Sequence, residues 1–242
     1  MEKLLIDIYI ILGIYFFLGG IGIVLINRKK EDKAEKRNRW VKFWVYLGIV
    51  NTLILSIYLD YIFYVSILFL VIGLFEIISI NKNGLSEKFI FPLIIYITLA
   101  FFFLKFTLIP KEIVLLVYLF VLTFDGFSQI FGQLFGKSQI LKKISPNKTW
   151  EGFFGGFLAV FLTAYLYYSS QNNYQTELKH PLFVALTLSI LAFIGDILAS
   201  FYKRINSVKD YSKIIPQHGG VLDRFDSLIF VGASMQIFET FF

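Results

Sequence analysis

"LLIDIYIILGIYFFLGGIGIVLI", residues 4–26, decides what kind of fold this chain can adopt. Its 23 residues include one charge, Asp7. At about 1.5 Å of rise per residue, a helix of this length crosses a hydrocarbon core roughly 30 Å thick. Arg28, Lys29 and Lys30 follow the run instead of preceding it, so a cleavable signal peptide is not expected. Similar runs recur at about Trp44–Leu59, Tyr61–Ile80, Phe89–Ile109, Ile113–Phe135, Phe153–Tyr168, Leu182–Tyr202 and Leu222–Phe242. The spacing predicts an all-α, polytopic transmembrane bundle of about eight spans. Only Asp60 separates the second run from the third, which calls for a tight hairpin there.

Composition agrees. The chain has 242 residues, 57% of them hydrophobic and 19% aromatic, with a mean hydropathy of +0.71. These values exceed those of soluble domains. No soluble domain or internal repeat stands out, so residues 1–242 are expected to form a single integral membrane domain. The absence of cysteine excludes disulfides and thiolate metal ligands.

A net charge of +6 could suggest nucleic acid, but its distribution argues for membrane topology. If Met1 lies outside, Arg28–Lys42, Lys82, Lys88, Lys137, Lys142, Lys143, Lys148, Lys203, Arg204, Lys209, Lys213 and Arg224 all fall on the cytoplasmic side. That is nineteen of the 23 basic residues, which satisfies the positive-inside rule with both termini on the non-cytoplasmic side. In a bacterium this membrane would be the inner one.

Ionisable groups at membrane depth are costly unless paired, hydrated or metal-bound, so each is a candidate for function. In "TFDGFSQIFGQLFGK", Asp125, Gln129 and Gln133 share a helical face, and Gly126, Gly132 and Gly136 admit a close neighbour. Interhelical hydrogen bonds would also account for that stripe. In "KKISPNKTWEGFFGG", Thr149 is placed to cap a helix with Glu151 in its first turn, and Lys148 with nearby amides could hold an anion. A simple capped loop would look the same. In "GDILASFYKR", Asp196, Ser200 and Lys203 line one face, and an Asp196–Lys203 pair inside the bundle is the bland alternative. In "HGGVLDRFD", Asp223 and Asp226 lie three apart at a helix start, where oxygen-only ligands suit Mg²⁺. Gly219 and Gly220 would let a phosphate approach backbone amides. Otherwise His218 and the glycines make a turn and Arg224 neutralises the acids.

Carboxylates beside lysines, arginines and amides at one membrane face are what phosphoryl and nucleotidyl transfer need, because that catalysis is mostly positioning and charge neutralisation. The run "GDILASFYKRINSVKDYSKIIPQHGGVLDRFDS", residues 195–227, closely resembles the signature of the phosphatidate cytidylyltransferases, or CDP-diacylglycerol synthases. It supplies Gly195, Asp196, Ser200, Lys203, Arg204, Lys209, Asp210, Pro216, His218, Gly219, Gly220, Asp223, Arg224 and Asp226. "SPNKTWEG", residues 145–152, resembles a second element of that family. Gln217 stands where a glycine is commoner, and Ser128 and Gln129 where an Ala-Tyr pair is expected. Residues 1–110 carry no recognised motif, and residues 111–242 would form the catalytic spans and loops.

The resemblance implies attack by the phosphate of phosphatidate on the α-phosphorus of CTP, giving CDP-diacylglycerol and pyrophosphate in phospholipid biosynthesis. Asp196, Asp223 and Asp226 would hold Mg²⁺, with room for a second cation, and Lys203, Arg204 and Arg224 would supply catalytic positive charge. Lys148, Ser200, His218, Gly219, Gly220 and Asp125 would bind or position substrate. The partners implied are CTP, phosphatidate or a similar lipid phosphate, and membrane lipids, without nucleic acid and with a homodimer left open. The rivals are the same transfer to an isoprenoid-type lipid phosphate, a CTP-dependent lipid kinase, and an ion-coupled transporter.

Overall fold

The computed structural model describes residues 2–28, 32–82, 84–170, 181–215 and 219–241. Among them run helices α1 (Glu2–Arg28), α2 (Lys33–Tyr58), α3 (Ile62–Ser79), α4 (Glu87–Phe106) and α5 (Lys111–Phe135). A short hairpin follows, β1 (Gln139–Leu141) and β2 (Ser145–Thr149), and then α6 (Trp150–Ser170), α7 (Pro181–Ile205) and α8 (Leu222–Phe241). The helices α1 to α7 are long and apolar enough to cross a membrane. The helix α8 has 20 residues but carries Asp223, Arg224, Asp226 and Glu239. On α1, Leu4, Ile8 and Leu12 are buried at helical spacing, yet Ile6, Ile10, Ile14 and Phe17 on its outer face are exposed and equally apolar. A helix apolar on every side suits a hydrocarbon surround, which water does not provide.

Two local features differ from the sequence-based expectation. The basic stretch Lys33–Lys42 is not a loop but the opening turns of α2. Lysine, glutamate and arginine are good helix formers, and Arg39 bridges Glu35 one turn away at 2.7 Å. The segment between α5 and α6 is a two-stranded antiparallel hairpin, pairing Gln139 with Thr149 and Leu141 with Ser145. The expected tight hairpin at Asp60 is present. Its backbone takes a left-handed φ of 62°, and its carboxylate accepts Lys111 Nζ at 2.8 Å.

The chain forms two compact units. The first comprises residues 1–40 and 116–193. In it, every residue from Leu116 to Val121 of α5 is buried. The helix α6 approaches α5 through Gly152 and Gly156, one turn apart. A Cβ at Gly152 would lie 2.7 Å from the Ser128 carbonyl, and one at Gly156 would lie 2.8 Å from the Phe124 ring. Such small residues replace hydrophobic driving force with close backbone packing, as membrane helices require. The Tyr15 hydroxyl of α1 bonds Thr163 of α6.

The second unit comprises residues 41–115 and 194–242. Here Phe103 and Phe106 of α4 press on Gly232 of α8, and Phe69 of α3 stacks on Phe225 of α8 at 4.5 Å between ring centroids. The Tyr96 hydroxyl donates to the Leu70 carbonyl at 2.7 Å, fastening α4 to α3. At the far end of α3, Tyr202 of α7 donates to the Ile77 carbonyl at 3.2 Å, and Asn206 accepts the Lys82 amide at 3.2 Å. These contacts hold the ends of α3 and α7 beside the start of α8, where the acidic residues gather.

Candidate active site

The centre of the polar cluster is Asp223, the second residue of α8, and its side chain is only 2% exposed. One carboxylate oxygen receives Lys203 Nζ at 2.5 Å. The other accepts the backbone N–H groups of Tyr211 and Gly220, both at 2.8 Å. Lys203 is nearly as buried, 9% exposed, and its ammonium lies 5.1 Å from the centroid of the Tyr211 ring. An ion pair this dry holds together only because hydrogen bonds satisfy what the partner leaves over. The counter-charge of Asp223 is therefore Lys203, where the sequence alternatives had offered an Asp196–Lys203 pair or neutralisation by Arg224.

The other acids of α7 and α8 lie close by along the chain. Asp196 accepts the Ser200 hydroxyl one turn later at 3.3 Å, which orients its carboxylate along the α7 face that ends in Lys203. Its neighbour Gly195 is where α7 and α8 approach: a Cβ there would lie 3.2 Å from the Asp226 carbonyl and 2.6 Å from Phe230. Asp226 accepts the Ser227 amide at 2.8 Å. Arg204 is exposed and donates to the Val208 carbonyl at 2.7 Å, closing the C-terminal end of α7. Arg224 is half-buried in the first turn of α8.

A further acid, absent from the sequence-based list, completes the cluster. Glu76 of α3 is 3% exposed and accepts the Ser212 hydroxyl at 2.6 Å, the Val221 amide at 2.9 Å and the Leu222 amide at 2.8 Å. It caps α8 from another helix, placing negative charge at the positive end of the α8 dipole. The glycine pair sits between the two acids. A Cβ at Gly220 would lie 2.4 Å from Glu76 Oε1, and one at Gly219, whose φ is +89°, would lie 2.7 Å from Asp223 Oδ2. The Gly220 amide expected to face a phosphate is engaged by Asp223. Burial beside Asp226 and Asp223 pushes the Tyr211 phenol well above the usual tyrosine range, so it stays protonated and donates to the Ala199 carbonyl at 3.3 Å.

Lys148 and Asp125 belong to the first unit. Lys148 Nζ sits 5.1 Å from the centroid of the Phe193 ring, and Asp125 is half-buried on α5. Thr149 caps α6 as expected, accepting the Gly152 amide at 3.1 Å, and Glu151 accepts the Ser138 amide at 3.2 Å. Those amide bonds and the first turn of α6 hold its carboxylate in a fixed place. His218 lies outside the described residues.

The sequence profile of the cytidylyltransferase family matches residues 6–242. The chain belongs to the cytidylyltransferase family. A phosphatidate cytidylyltransferase of Rickettsia bellii is 31% identical over 217 residues, which cover 85% of this chain and 94% of that one. One from Haemophilus influenzae is 37% identical over 133 residues, 53% of this chain and 45% of its own. One from Staphylococcus epidermidis is 42% identical over 118 residues, 49% of this chain and 45% of its own.

For a cytidylyltransferase the donor set is chemically apt. It consists of oxygen ligands, which suit a hard divalent cation. Among the described residues no three His, Cys, Asp or Glu side chains gather into a metal cage. Asp196, Asp223 and Asp226 therefore do not converge as a three-carboxylate set, and a bound Mg²⁺ would take one or two of them, with substrate phosphates and water supplying the rest. Asp223 with three donors on its oxygens retains lone-pair capacity for such an ion, since a carboxylate has about four acceptor positions.

Proposed function

We propose that this protein is a phosphatidate cytidylyltransferase that works at the α7–α8 acids. The single observation that carries the assignment to this site is the buried Lys203–Asp223 pair, which ties the end of α7 to the start of α8. A phosphate oxygen of phosphatidate attacks the α-phosphorus of CTP. The bond from that phosphorus to the bridging oxygen breaks, and pyrophosphate leaves with the bonding electrons. Phosphatidate is already an anion near neutral pH, so no general base is needed, and the barrier lies in bringing anions together.

The chain's own residues address that barrier. One or two of Asp196, Asp223 and Asp226 would hold Mg²⁺, with room for a second cation, and when bound it would neutralise phosphate charge and steady the leaving group. Lys203 fixes the orientation of Asp223 and keeps the cluster from carrying uncompensated negative charge. Arg204 and Arg224 bring guanidinium groups suited to phosphate oxygens. Gly219, Ser200 and His218 would position the nucleotide. Charge bias supports a site on the cytoplasmic side, and α8 as an eighth span would put both termini outside.

Ser128 and Gln129 keep a second lipid class in view, so the test is a panel. Purified protein with CTP and Mg²⁺ is given phosphatidate, an isoprenoid glycerol phosphate or a lipid alcohol, and product headgroups are identified by mass. A cytidine-bearing product formed preferentially from phosphatidate supports the proposal. Preference for the isoprenoid lipid would reassign the substrate, and a phosphorylated alcohol without cytidine would replace the reaction with a kinase.

A further inference from the structure

We infer that Glu76, in the part of the chain without a recognised motif, is a positioning residue for the reaction, acting on Asp223 through the backbone at the start of α8. The inference rests on the proposed function above. Two acids tie the same neck of chain. Asp223 takes the amides of Tyr211 and Gly220, and Glu76 takes the next residue at each end, the Ser212 hydroxyl and the Val221 amide, together with the Leu222 amide. Further along, the Ile215 amide donates to the Gly219 carbonyl at 2.8 Å. The segment from 211 to 222 is thus clamped at its base by five hydrogen bonds to two carboxylates.

The geometry makes the two clamps interdependent. Gly220 touches both: its amide bonds Asp223, and a Cβ there would sit 2.4 Å from Glu76 Oε1. The next two amides belong to Glu76, and Asp223 is the residue after them. Removing the Glu76 charge leaves at least one of the two amides at the α8 start without its acceptor, so that turn loosens and carries Asp223 with it. Glu76 makes no hydrogen bond to Asp223, so what couples them is this shared backbone and the proximity of their charges across Gly220.

The diagnostic variant is Glu76→Gln. Glu76 Oε1 serves Ser212 and Val221 while Oε2 serves Leu222, so either orientation of an amide sets an N–H₂ against a backbone N–H. Outer-shell partners of metal ligands typically contribute about 10- to 100-fold to affinity or activity. We expect kcat per folded protein to fall by about that factor, with a several-fold rise in the Mg²⁺ concentration for half-maximal rate and little change in KM for CTP at saturating Mg²⁺. Without CTP, Mg²⁺ or lipid, trypsin should cut faster after the exposed Lys209 and Lys213. Glu76→Asp, which keeps the charge on a shorter arm, should recover part of both losses, and it carries the comparison if Glu76→Gln does not fold. Tyr96→Phe removes a hydrogen bond to the same helix α3 and should leave Mg²⁺ dependence and cleavage unchanged. Wild-type Mg²⁺ dependence or wild-type cleavage in folded Glu76→Gln, or an activity loss equal to the loss of folded protein, overturns the inference. An inactive wild type defeats the proposed function instead, and the cleavage comparison then still decides the role of Glu76.

Discussion

Breaking the Lys203–Asp223 pair from one side and then from both separates its structural work from its chemical work. In Asp223→Asn the carbonyl oxygen can still accept Tyr211 and Gly220, but an N–H₂ then faces Lys203 Nζ across the 2.5 Å contact. A buried ammonium is left without its counter-charge, at a cost of about 3–5 kcal/mol. That raises the unfolded fraction by roughly two to four powers of ten. Lys203→Met leaves the Asp223 carboxylate with two amide donors and no cation, at a similar cost. The double variant removes both charges, and buried pairs replaced by uncharged groups of similar size are often neutral in stability. It should therefore recover most of the roughly 6–10 kcal/mol that the two singles would cost together. The assay is reversible denaturant unfolding in detergent for the four proteins, with nucleotidyl transfer measured on the folded fraction of each. Recovered stability with no recovered activity is the expected result. Single-variant costs that simply add, within about 0.5 kcal/mol, would refute the pair as the organising contact.

Gly220→Ala should destabilise by about 1–3 kcal/mol and depress turnover, because its methyl would displace Glu76; unfolding and rate measurements on the same preparation check both. Gly156→Leu should cost a similar amount by forcing α6 off Phe124, and thermal unfolding checks it. Lys111→Ala breaks an ion pair whose side chains are 32% and 70% exposed, so its unfolding midpoint should barely move. Since the chain has no cysteine, single cysteines at Lys143 and Lys213 should react with an impermeant thiol reagent from the cytoplasmic side, and one at Lys105 should not.

The helices were legible because hydrocarbon-length apolar runs have one regular solution in a membrane, internal backbone pairing. The helical start of α2 was not, since its charges masked a good helix-forming stretch behind a loop-like composition. The β1–β2 hairpin escaped because three-residue and five-residue strands leave no periodic signal. In the site, Asp196, Ser200 and Lys203 followed from helical spacing, and Asp223 and Asp226 from position at a helix start. The partner of Lys203 was not fixed, because Asp196 lies on the same helical face two turns earlier while Asp223 reaches it only through the fold. Glu76 could have been found. It is the single acid in the apolar run from Tyr61 to Ile80, and such a charge is a functional suspect by default. Its service to α8 amides, far along the chain, is visible only in three dimensions.

Which bond of CTP breaks, and what the lipid keeps, decides between nucleotidyl transfer and its rivals. Folded protein, Mg²⁺ and phosphatidate should be supplied with CTP labelled at the α-phosphorus and, in parallel, at the γ-phosphorus. Lipid carrying the α-label together with cytidine, and the γ-label released in pyrophosphate, is the predicted result. The γ-label on the lipid, or no lipid labelling at all, would contradict it.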